Sequence, residues 1–163
     1  MDQFDTESSS GNEDLTPQVR TMQIIAAALM MGVVIFALIV VAQGSLNQPA
    51  GGNTVALMGA GFALLMFVMH LTVPGMMAKS AAGRVQGEND AGRWIGIYQT
   101  KLIIGMAMLE GAAFFNLIAC MSEHNWWSLA VAGGLVLTML IQFPTRSRVE
   151  QWIETQRMKY GQE

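Results

Sequence analysis

Stretches of about twenty residues in this chain carry no charge, and that feature limits the fold more than any other. A helix of about 20 residues rising 1.5 Å each crosses roughly 30 Å of hydrocarbon, whereas a buried helix of a soluble protein rarely stays apolar for so long. Three such stretches are present, at about 21–42, 54–77 and 126–143, and one more apolar stretch, third in chain order at about 95–121 and opening at Ile95 or, past a polar first turn, at Leu102, is interrupted by Glu110. The expected fold is all-α: a polytopic membrane protein with four transmembrane helices in one bundle over residues 20–145, plus a C-terminal amphipathic interfacial helix. Charged residues make up 13% of the 163, about half the share of roughly 25% in soluble domains.

Turn chemistry separates the stretches. Gln43 to Pro49 and Gly51-Gly52 end the first helix, Pro74 is expected to kink or terminate the second, and Pro144 stops the fourth. Residues 1–19 hold five acids, a Ser-Ser-Ser-Gly run and no basic residue, and are expected to be a disordered acidic tail on the cytoplasmic side. The apolar run that follows is too long for a signal core, so it is expected to remain as the first span. In residues 146–163, Ser147 and Glu150 suit a capping box, and Val149, Trp152, Ile153 and Tyr160 share a face opposite charges. That pattern predicts a helix lying in the membrane plane on the cytoplasmic side, the alternative being one docked on a partner.

Lys and Arg number one, zero, four, zero and four before, between and after the four stretches. The positive-inside rule then places both termini in the cytoplasm, at a plasma or inner membrane. All four Trp and both Tyr fall at the predicted interfaces, where such rings settle.

Glu110 stands near the middle of the third stretch, among Ala107, Gly111 and Ala112. A carboxyl there costs about 2.5–3.5 kcal/mol on insertion scales, so it is expected to be protonated or paired. His70 on the second stretch is its natural partner, with a depth difference of about 5 Å expected between antiparallel neighbours. The pair suits a proton relay or a static hydrogen bond. Asn116 is expected to bond across helices, Gln142 and Thr72 to reach toward the interface, and Lys101 to snorkel outward. Ala28/Gly32, Gly59/Ala63 and Gly133-Gly134 suit close helix packing.

The run Leu102 to Ala119, with a carboxylate among small residues, resembles the outer helix of rotary ATPase proteolipid subunits. The resemblance implies an ion-carrying role for Glu110. It covers about twenty residues. The second stretch lacks that family's repeated Gly-x-Gly pattern, the following loop lacks its Arg-Gln-Pro, and the fourth stretch has no acid.

Cys120 is the sole cysteine, which rules out an intramolecular disulfide. With His124 at i+4 it supplies too few ligands for a metal site within one chain, and the fourteen Met are scattered through apolar spans. No metal site or cofactor is expected. No catalytic motif is present, and an enzyme is not expected, since one would need convergence around Arg93 or His124. The net charge of -3 comes largely from the acidic tail and implies no nucleic-acid partner. The expected partners are the lipid bilayer, a second copy or other membrane-complex subunits. Two functions fit: an accessory or structural subunit acting through helix packing, with Glu110 as polar glue, or a small proton- or cation-coupled transport component with Glu110 as carrier.

Overall fold

In the computed structural model, residues 16–82 and 91–160 are described, and five α-helices account for nearly all of them: α1 (Thr16–Ala42), α2 (Thr54–Ala82), α3 (Ala91–Glu123), α4 (Trp126–Ile141) and α5 (Arg146–Tyr160). The chain is an all-helical bundle. Among the described residues, three helices are long and apolar enough to cross a membrane. A fourth span exists if α4 and α5, bent by 69° at residues 142–145, count as one. Alone, the 16 residues of α4 reach only about 24 Å.

The helix α3 is the axis of the bundle, packing against α1, α2, α4 and α5. Of its apolar window 44% is buried, against 17% for α1 and 22% for α2. Leu109, Ala112, Ala113 and Leu117 of α3 close the core with Val33 of α1 and Met139 of α4. Outward, Leu38, Leu57, Leu64 and Leu71 are more than half exposed, as expected where the solvent is hydrocarbon.

Several boundaries move from those expected. The first four residues of α1, Thr16 to Val19, lie within the segment read as disordered tail. Pro17 is pre-shaped for a first helical turn, and Val19 and Met22 are buried against Trp94, Ile95, Val149 and Ile153. The rest of that tail, residues 1–15, lies outside the described residues, as do residues 161–163. Pro74 does not terminate α2, which continues to Ala82. A proline inside a spanning helix is tolerated where neighbours re-satisfy the backbone, and the residues after it (Met76, Met77, Ala78, Lys79) are good helix formers.

The helix α5 crosses the end of the bundle and turns its apolar side toward α1 and the start of α3, with Val149 and Ile153 buried there. Trp152 packs on Tyr98 and Trp94, its ring centroid 5.3 and 6.4 Å from theirs. The capping box does not form. The helix opens two residues earlier, at Arg146, and Glu150 pairs with Arg146 at 2.6 Å instead of reaching back to Ser147.

At the opposite end, Glu123 at the last turn of α3 caps α2. The Val55 and Ala56 N–H groups donate to its Oε1 and Oε2 at 2.8 and 2.9 Å. A carboxylate suits the exposed amides and positive dipole end of a helix start. The Gly51 N–H donates to the Glu123 carbonyl at 2.9 Å, and Asn125 Nδ2 donates to Gly52 O and Asn53 Oδ1. His124 takes a left-handed φ of 56° that lets α3 end at Glu123 and α4 begin at Trp126. Replacing Glu123 by Ala should lower the thermal unfolding midpoint in detergent, with Glu123→Gln, which keeps one acceptor, falling between Ala and wild type.

Candidate functional site

Two polar side chains tie α2 to α3, each by reaching a backbone carbonyl across a glycine. Asn116 of α3 is fully buried, and its Nδ2 donates to Gly59 O of α2 at 3.0 Å and to Ala112 O at 2.9 Å. In the other direction, His70 of α2 donates from Nδ1 to Gly105 O of α3 at 2.9 Å. Its Nε2 lies 2.6 Å from Gln142 Nε2 and accepts from that amide.

The glycines make these approaches close. A Cβ on Gly59 would lie 3.0 Å from Asn116 Oδ1, and one on Gly105 would lie 3.0 Å from His70 Nδ1. Gly59 belongs to a small-residue pair noted in the sequence. Gly105 does not, and its importance shows only once His70 is placed against it. Gln142 is likewise drawn inward to His70 rather than out to an interface, because it caps α4 where α2 passes. Thr72 and Thr138 bond carbonyls of their own helices.

Glu110 is placed differently. The two pairings set an antiparallel register in which Glu110 stands level with Leu65 of α2, about 7–8 Å along the axis from Gly105 and about 140° around α3 from it. It therefore turns toward α1, where its Oε1 lies 3.7 Å from the position of a Cβ on Gly32. Glu110 and His70 do not meet, and both ring nitrogens of His70 are already engaged. Among the described residues Glu110 has no hydrogen-bond or ion-pair partner, and it is partly exposed between the exposed Ala107 and Gly111. Phe114 packs edge-on against Phe36 of α1 one turn away, with centroids 5.5 Å apart.

Of the other small-residue positions, Gly59 and Ala63 are buried in the α2–α3 seam, whereas Ala28, Gly133 and Gly134 face outward. No group of three metal-ligating side chains occurs among the described residues, and Cys120 is a buried core residue. No family model, curated protein or solved structure matches the chain.

Gly105→Ala and Gly59→Ala should each destabilise the bundle by about 1–3 kcal/mol, the usual cost of overpacking, measured by unfolding in mixed micelles. Gly133→Ala, with open space around it, should be neutral by comparison.

Proposed function

We propose that this chain is an accessory or structural subunit of a membrane assembly, acting through helix–helix packing, with Glu110 offered to a partner helix. The supporting observation is the contrast among its intramembrane polar groups. Asn116 Nδ2 and both His70 nitrogens find partners within the chain, while among the described residues the Glu110 carboxyl has none and, unlike the unpartnered but buried Asn116 Oδ1, stands partly exposed beside Gly32, Ala107 and Gly111. A carboxyl facing hydrocarbon is costly, and a hydrogen-bonding side chain from another helix would offset that cost. Small residues on either side permit the close approach such a bond needs.

The same reading places the protein as a multi-pass component of a plasma or inner membrane, with both termini cytoplasmic. Lys79, Arg93, Lys101, Arg146 and Arg148 gather at the end where α2 and α4 finish and α3 starts. The described residues of the Glu123 end carry no Lys or Arg. A reporter fused after Glu163 should be active only in the cytoplasm, and activity outside would reverse the orientation.

A photocrosslinking side chain at Ala107 should label a second helix in native membranes. Glu110→Gln, which still hydrogen-bonds, should keep that labelling, and Glu110→Ala should reduce it several-fold. Labelling unaffected by Glu110→Ala would remove the carboxyl from the interface. If Glu110→Gln instead abolishes a proton or cation flux that wild type supports in vesicles, the transport reading replaces this one.

A further inference from the structure

At the basic end, α2, α3 and the α4–α5 bend enclose a cavity of about 300 Å³, whose walls include Lys101, Arg148, Tyr98, Gln142 and His70. We propose that this cavity binds a phosphate group of the kind carried by an anionic phospholipid headgroup. Its two cations come from different helices, and among the described residues no carboxylate lines the cavity or pairs with either. The Lys101 ammonium stands 5.7 Å from the centroid of the Trp152 ring, a contact that orients the charge without neutralising it. Arg148 uses Nη1 on the Ile141 carbonyl, which fixes the guanidinium and leaves other N–H donors of its fork for a ligand. The Tyr98 hydroxyl adds a neutral donor, and the hydrogen-bonded His70–Gln142 pair also lines the cavity.

The volume is at the lower bound for small-molecule sites, which suits a headgroup rather than a whole lipid. Lys101 also lines a second cavity of about 390 Å³, walled by Met77, Ala78, Ala81 and Ile97, with Arg93 and Thr100 also on its lining. A polar and a mostly apolar cavity meeting at one cation match an amphiphile, with phosphate at Lys101 and chain against Met77. Basic pockets between spanning helices recognise lipid phosphates by this combination of charge and depth.

The test uses the full chain in a neutral detergent, titrated with short-chain phosphatidylglycerol, with phosphatidylcholine of the same chain length, and with inorganic phosphate, reading the thermal unfolding midpoint. Phosphatidylglycerol should raise the midpoint more than phosphatidylcholine. Lys101→Gln and Arg148→Gln should each raise the half-saturating concentration about fivefold, the equivalent of about 1 kcal/mol per cation. Lys101→Arg should retain binding, which separates loss of charge from loss of fold. Lys79→Gln, an exposed cation outside both cavities, should titrate as wild type. Protection by inorganic phosphate with the same pattern of variants would assign the site to free phosphate rather than lipid. Equal protection by phosphatidylcholine, or an equal loss in Lys79→Gln, would overturn the proposal.

Discussion

Helices surrounded by hydrocarbon gain nothing from hiding apolar surface from one another, so what holds them is close packing and polar contacts between them. In this chain those contacts concentrate on one seam. Asn116 reaches the Gly59 carbonyl, and His70 reaches the Gly105 carbonyl in the reverse sense, so α2 and α3 read each other's backbone at positions where a Cβ would crowd the reaching side chain. Glu123 completes the seam by capping α2 from the end of α3. A slip of one residue would break all three together, which makes the register of α2 on α3 well specified. The packing of α1 and α4 on α3, and of α5 across the bundle end, builds on an α3 oriented in this way.

That orientation also decides what Glu110 can do. Because Gly105 and Asn116 face α2, Glu110 between them cannot, and it turns to α1 and the outer surface. The relay expected of His70 and Glu110 does not assemble within one chain. His70 instead belongs to the wall of the basic cavity, where its hydrogen bond to Gln142 ties α2 to the end of α4.

Much of this was legible beforehand, for identifiable reasons. The long helices of the bundle follow from extended apolar runs, whose meaning depends mainly on length. Asn116 was readable as an interhelical hydrogen bond because a buried amide in a span has few other options. Contacts that depend on the angle around a helix were not readable. Depth along the membrane suggested His70 for Glu110, but their angular positions on α2 and α3 keep them apart. Gly105 and the inward turn of Gln142 depend on His70 and could not be seen without it. At α5 the amphipathic pattern was clear, yet the pattern is the same whether the apolar face meets lipid or, as with Val149 and Ile153, other helices of the same chain. The continuation of α2 past Pro74 was hidden because a missing donor predicts a break in water more reliably than in a bundle.

The central claim is that the Glu110 carboxyl has no partner among the described residues of its own chain. Carboxyl infrared absorption of the purified protein in lipid, as a difference between wild type and Glu110→Gln across pH 5 to 9, tests it directly. The account predicts a protonated carboxyl band at the high frequency of an acid without a hydrogen bond, unchanged by His70→Ala. A band that titrates in that window and shifts when His70 is removed would contradict it, since the two side chains would then be coupled after all.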